Sequence, residues 1–349
     1  MKKNLIALAV LAASGVASAQ STVTLYGIAD VWFGSTKTDT LVGNQAVGTR
    51  QTMVGSGGVD ESRFGFKGSE DLGSGLKANF VLEQGFSIDN GAAGTTTDSK
   101  GNTVSASFSR QAYVGFSGGF GEAKIGKIAT AYDDISGATR PAFNSALSPD
   151  NNVWVSHSGY NWNPNNSVYY ATPSLSGFSG AISYSFGENK TASTDAGQVV
   201  SANVKYESGP VYAGLAYQTE KANGATPTAK FSRLNASYDL GVVKLLVGLG
   251  HANQVYRVNY TNRTNEYEIG ADFPVSSALT LSGGYAQSKS SYLGVGVADT
   301  KRTGFGVAAT YLLSKRTFLY GGVQAAKQTQ SGAADLKSDL YGIGVHHTF

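Results

Sequence analysis

Side chains of opposite character alternate along nearly all of this chain, and that period of two limits what it can fold into. In "LKANFVLE", Leu76, Ala78, Phe80 and Leu82 fall on one side, with Lys77, Asn79 and Glu83 on the other. "AISYSFG" sets Ile182, Tyr184 and Phe186 against Ser183 and Ser185, and "VYAGLAY" and "LTLSGGY" repeat the scheme. A strand whose two faces meet different solvents carries this signature, because successive side chains point to opposite sides of a sheet. Past the first residues no stretch has helical periodicity. The 45 glycines are nearly double the usual share of about 7%, and with 19 tyrosines and 16 phenylalanines they fit an all-β chain.

Sixteen such segments are expected: 21–33, 60–71, 76–88, 105–118, 121–130, 166–173, 178–187, 197–208, 210–221, 228–240, 241–253, 263–274, 278–290, 300–312, 316–328 and 338–349. The connections between them alternate in length. Tight turns such as "LGSG" (72–75) and "LSK" (313–315) are separated by long polar stretches at 34–59, 89–104, 131–165, 188–196, 222–227, 254–262, 291–299 and 329–337. In an up-and-down antiparallel barrel, odd and even connections lie at opposite ends. A transmembrane barrel has short turns at one end and long loops at the other. Sixteen strands closed on themselves enclose a bore too wide for side chains to fill. The expected fold is therefore an all-β, 16-stranded antiparallel transmembrane barrel with an aqueous lumen.

On that fold the strand in "SRFGFKGSED" (62–71) turns Phe64 and Phe66 to lipid or a neighbouring subunit, and Arg63 and Lys67 to water in the bore. The C-terminal "DLYGIGVHHTF" puts Tyr341, Ile343, Val345, His347 and Phe349 on one face, as a closing strand would. Gly27 and Ala29 share a face with Leu25, where lipid contact favours bulk. Close packing against another subunit would account for them.

The N-terminus is expected to be a secretory signal, residues 1–19, ahead of a single barrel domain, 20–349. Lys2 and Lys3 precede an apolar run, Leu5 to Ala13, and Ala17-Ser18-Ala19 forms a small-residue cleavage site. That run is too short to cross a bilayer, which needs about 20 residues. The formal charge of +3 falls to about +1 once Lys2 and Lys3 are removed, which gives no reason to expect nucleic acid as a partner. There is no cysteine for a disulfide or thiolate site. Four histidines, two of them adjacent on opposite strand faces, give no ground for a metal site, and no Ser–His–acid set points to an enzyme.

Five stretches carry a family likeness: "VTLYGIAD" (23–30), "SRFGFKGSEDLGSGLKANFVLE" (62–83), "SRQAYVGFSGGFGEAKIGK" (109–127), "NNSVYYATPSLSGFSGAISYSF" (165–186) and the terminal "YGIGVHHTF". Together they resemble the general Gram-negative outer-membrane porins, above all those of beta-proteobacteria. The resemblance implies a homotrimeric diffusion channel for ions and small hydrophilic solutes, without cofactor. It implies lipid and lipopolysaccharide as surroundings, and an outer-membrane assembly machinery that reads the C-terminal strand, here Tyr341 and Phe349. It also implies that the third long connection, 131–165, folds inward. That stretch carries Asp133, Asp134, Arg140, Asp150 and His157, and would face a basic wall of Arg63, Lys67 and Arg110. The Pro-Glu-Phe-Gly turn of many enteric porins is missing from it. A charged loop facing a cationic wall would set up a transverse field across the passage. Two other readings of the barrel are a channel specific for a sugar or an anion, for which no continuous aromatic track can be traced, and a surface adhesin or receptor. Tyr160 and Trp162 could stack a sugar, but loop packing or the membrane-interface aromatic band is the preferred reading for them.

Overall fold

The computed structural model describes residues 22–97, 103–224, 229–257, 260–293 and 296–349. The expected signal segment lies outside them. The strands are β1 (Thr22–Val42), β2 (Gln45–Ser56), β3 (Arg63–Gly73), β4 (Leu76–Gly85), β5 (Thr95–Thr97), β6 (Thr103–Ser105), β7 (Gln111–Gly118), β8 (Gly121–Lys127), β9 (Ser167–Ala171) and β10 (Phe178–Phe186). They continue as β11 (Gln198–Ser208), β12 (Val211–Lys221), β13 (Ala229–Asp239), β14 (Lys244–Arg257), β15 (Tyr260–Pro274), β16 (Leu279–Leu293), β17 (Thr300–Leu312), β18 (Thr317–Gln330) and β19 (Leu336–Thr348).

Each barrel strand pairs antiparallel with the next, and β19 returns to pair with β1 from Ile28↔Thr348 to Thr38↔Ser338. The lower part of β1 pairs with β3 and its upper part with β2, so β2 and β3 are one barrel strand interrupted at 57–62. β5 and β6 form a separate small hairpin. The result is a closed barrel of sixteen strands, as the alternation and the gap rhythm imply.

The faces also fall as expected. Ile182, Val204, Leu215, Leu281 and Ile343 are all exposed on the outside. Their neighbours in sequence, such as Ser183, Ala216, Asn203 and Ser282, are buried on the other face. An apolar exterior and a polar interior are what closure in hydrocarbon requires, because every backbone amide is then paired within the wall. Closure continues to the last residue. Gly27 and Phe349 exchange backbone hydrogen bonds at 3.1 and 3.0 Å. A Cβ on Gly27 would lie within 3.0 Å of the Phe349 ring, so packing inside the chain is a sufficient reason for its small size.

One expectation changes. The stretch 34–59 is not a long loop. β1 and β2 rise together as a hairpin paired from Val31↔Ser56 to Val42↔Gln45, turning at Gly43, whose φ is +62°. The sequence hides it because most of β2 is exposed to water, so nothing greasy alternates there. The "VGNQ" turn was the available signal.

Candidate functional site: wall and inner segment

The polar face of β3, β4, β7 and β8 gathers charge around a single carboxylate. Register puts Gly65 opposite Glu83 and Arg63 opposite Gly85, so Arg63 and Glu83 are diagonal neighbours on one face. Arg63 Nε lies 3.6 Å from Glu83 Oε2, and Arg110 Nε donates to Glu83 Oε1 at 2.8 Å. Tyr26 donates to the same carboxylate at 3.0 Å. Arg63 also reaches Asp60 at 3.4 Å, and Arg110 pairs with Glu61. Lys67 lies exposed over the Tyr26 ring at 5.0 Å and makes no ion pair among the described residues. Further along, Lys124 pairs with Glu122 at 2.8 Å and sits over the Tyr113 and Tyr169 rings. The structure therefore brings together the three expected wall residues, Arg63, Lys67 and Arg110. It adds Glu83, which the sequence reading had only as a polar-face residue; the tight 72–75 turn sets the register that would have revealed it.

Asp60 and Glu61 sit on the interruption between β2 and β3, and that turn is held by Asp30, which is fully buried. Its carboxylate accepts the backbone amides of Gly58, Val59 and Asp60 at 2.8–2.9 Å, together with the Tyr320 hydroxyl. Asp60 accepts in addition from His346 at 3.1 Å. The Asp30 anchor was missed because its partners lie some 30 and 290 residues away in sequence.

The segment 131–165 lies against the polar face of the barrel's other half. It contains two short helices, α1 (Asp133–Ser136) and α2 (Val155–Ser158), and a 3-10 turn at Ala142–Asn144. Tyr132 and Ile135 are buried with Phe231, Ala216 and Ala252 from β12, β13 and β14. Tyr132 N donates to Ser201 Oγ at 2.6 Å, Ala142 N to Ser282 Oγ at 2.7 Å, and Ser288 Oγ to the Val153 carbonyl at 2.6 Å. Ala146 N reaches the Gly58 carbonyl at 2.8 Å, joining the segment to the turn that Asp30 holds.

A track of glycines makes room for this seat. A Cβ on Gly270 or Gly284 would fall within 3.0 Å of Pro141, on Gly304 within 3.0 Å of the Pro149 carbonyl, and on Gly306 within 3.0 Å of the Leu147 carbonyl. These glycines lie on the polar faces of β15, β16 and β17, at successive strands under one length of backbone. The sequence reading saw them only as composition. Their signal was available: glycines at polar-face positions of neighbouring strands mark a close backbone approach.

The four expected charges of the segment separate into two pairs. Arg140 and Asp150 meet side-on, Nε to Oδ2 at 2.7 Å and Nη2 to Oδ1 at 2.6 Å, and both are buried. They fasten the segment to itself and present no charge to the bore. The bidentate guanidinium holds Asp150 below the usual carboxylate range although burial alone would lift it. His157 lies 3.8 Å from Asp150, and burial pushes its pKa down to about 4. Asp133 and Asp134 stay nearer the open side. Asp133 accepts from Tyr160 and Ser136, and burial raises its pKa. Asp134 accepts from Tyr169 at 2.7 Å and Asn203 at 2.9 Å.

Tyr160 and Trp162 are not free stacking platforms. Tyr160 packs edge-on to Tyr132 at 4.8 Å, and Trp162 lies under the Arg110 guanidinium at 5.0 Å. The Gram-negative porin family model matches residues 6–331 of this chain. The chain belongs to that family. It is 34% identical to outer membrane porin protein 32 of Delftia acidovorans, covering 99% of this chain and 95% of that one. It is 29% identical, end to end in both, to the major outer membrane protein P.IB of Neisseria meningitidis serogroup A. Among solved structures, the anion-selective porin from Comamonas acidovorans superposes with a TM-score of 0.75 at 25% identity, over 95% of this chain and all of that one. OmpT of Vibrio cholerae, at a TM-score of 0.69 and 15% identity, shares the fold. The protein is thus an outer-membrane porin whose barrel encloses a general diffusion channel.

Proposed function

We propose that solutes cross this porin between the wall cluster of Arg63, Lys67 and Arg110 and the segment 131–165, and that the passage discriminates only weakly between cations and anions. Charge compensation is the observation that carries this reading. Arg63, Lys67, Arg110 and Lys124 face Asp60, Glu61, Glu83 and Glu122 on the wall itself, so cationic and anionic groups are equal in number there. Across from them, the negative charge of Asp133 and Asp134 is spread into hydroxyl and amide donors, and Lys205 draws electrostatically on Asp134. Such a site has a strong local field and little net charge. It orients polar solutes and binds none of them tightly.

In this reading Asp133 and Asp134 line the passage, while Arg140 and Asp150 serve as the staple that keeps the segment folded. No catalysis is ascribed to the site. The reversal potential in planar bilayers under a salt gradient tests it. Wild type should sit close to zero, and R63S/R110S should move clearly toward cation preference, because Asp60, Glu61 and Glu83 lose their partners. A wild-type channel with strong selectivity, or a double variant with an unmoved potential, would end this reading.

The trimer, the cleaved leader and the assembly role of Tyr341 and Phe349 belong to the same proposal. An apolar groove of about 320 Å³ between Val23, Phe80, Val114, Phe116 and Ile125 on the exterior supports contact with a second subunit. Threefold conductance steps, and a mature N-terminus at Gln20 by mass spectrometry, are the expected results.

A further inference from the structure

His346 stands where the charged wall meets the turn that Asp30 holds. Register places it opposite Asp30 on β1 and opposite Phe318 on β18. Its ring stacks on the Phe318 ring at 4.4 Å and is almost closed to water, at 7% exposure. Nε2 lies 3.1 Å from Asp60 Oδ2, and the other Asp60 oxygen takes Arg63 Nη2 at 3.4 Å. Asp60 is 42% exposed, so this carboxylate connects the shut-in imidazole to the water of the bore. Arg63 leads on to Glu83, which Arg110 shares.

The charged groups that face the ring are Asp60 from the turn 57–62, Asp30 from β1 and, through Asp60, Arg63 from β3. Asp30 is already engaged by three backbone amides and by Tyr320 from β18. With its proton on Nε2, His346 donates to Asp60 and carries no charge. Nδ1 is then buried without a partner among the described residues, and a second proton goes there. Imidazole is the side chain that gains such a proton between about pH 8 and 5. The wall sets Arg63, Lys67, Arg110 and Lys124 against Asp60, Glu61, Glu83 and Glu122, so a single added charge is enough to unbalance it.

We propose that His346 is a specificity-determining residue of the passage: uncharged, it leaves the wall compensated, and protonated, it turns the channel toward anions. This rests on the weak selectivity inferred above and names the group that sets it. The size follows from Coulomb's law. A unit charge about 8 Å from an ion's path, in surroundings as polar as water, changes occupancy by about 1.5-fold with screening by about 0.1 M salt and about 2.5-fold without it. The change has opposite signs for anions and cations, so their permeability ratio should move roughly two- to sixfold. Raising the salt should shrink it.

The test is the reversal potential of the whole porin in planar bilayers under a salt gradient, between about pH 8 and 5.5. Wild type should move toward anions by that factor as the pH falls. H346Q, whose amide can still donate to Asp60, should lose this movement, and H346K should hold the anion-shifted value throughout. Burial raises the pKa of Asp133, whose protonation pushes in the same direction, so the difference between wild type and H346Q decides. A wild-type slope kept in H346Q would overturn the assignment. NMR of the imidazole carbons gives a second reading without any change at the site: the signal that survives replacement of His157, His251 and His347 belongs to His346. It should titrate within the same window, with a lower midpoint in D60N, which removes the carboxylate beside Nε2. A ring still neutral at the acid end of the window, or a midpoint unmoved by D60N, would sink the proposal. Strong wild-type selectivity at the alkaline end would count against the compensated wall alone, because the difference between wild type and H346Q is read separately.

Discussion

A single methyl group on the glycine track should unseat the inner segment. In G306A the new Cβ would lie within 3.0 Å of the Leu147 carbonyl and close to the Pro149 nitrogen, both backbone atoms that no rotamer change can move. Ordinary carbon contacts begin near 3.5 Å, so the segment must retreat by roughly 1 Å from the wall. Overpacking of this kind costs about 1–3 kcal/mol. Charged to the docking of 131–165, that is a rise of about 5- to 150-fold in the population of the open segment, because local opening obeys the same equilibrium arithmetic. The amides to watch are those of Val153 and Trp154, which donate to the Asp150 carbonyl at 3.0 and 2.9 Å. Hydrogen exchange of peptides spanning them should accelerate by that factor while β11 to β14 stay protected. Single-channel current should become noisier. G119A, in the turn between β7 and β8 where a Cβ meets nothing within 4 Å, is the control and should change neither reading. Unchanged exchange at Val153 and Trp154 in a folded G306A barrel would refute the close-packing argument for the whole track.

Three further outcomes are expected. His157 is held neutral in the native segment, with its pKa pushed down to about 4 against 6.5 when free, so docking weakens as pH falls from 6.5 toward 4. The loss amounts to about 3 kcal/mol at most. The depressed carboxyl of Asp150 adds to it in the same direction at lower pH. H157Q should flatten the pH dependence of channel noise between 6.5 and 4.5, and an unaltered profile would show that the histidine is not responsible. D30A should free the 57–62 turn, since it leaves three backbone amides and the Tyr320 hydroxyl without their acceptor, at roughly 1.5–3 kcal/mol for each bond to a charged group. Hydrogen exchange confined to that turn, with a lowered thermal transition, would report it. F349A removes the ring packed on Gly27 but keeps the terminal backbone bonds, so the barrel should assemble more slowly and still conduct once formed. A normal yield of heat-modifiable barrel from F349A would deny the ring a part in closure.

The legible and hidden parts of this protein divide by range. Strand faces could be read because alternation is a property of neighbours: Ile182 points out and Ser183 in regardless of what lies across the barrel. Strand number and the two ends followed from the rhythm of the gaps. Where both faces meet water, as in β2, the same reading failed and a hairpin looked like a loop. The charged residues of the site were found individually, yet their partners were not. Arg140 and Asp150 looked like two charges for the passage until the segment folded them onto each other.

Local alternation, set by the two-sided geometry of a strand, was thus enough to specify the closed wall and its oily exterior. Where 131–165 lies, which carboxylate two arginines share and why four glycines line up beneath one stretch of backbone were decided only when distant strands came into register. Those contacts depend on closure of the ring, which no window of sequence contains.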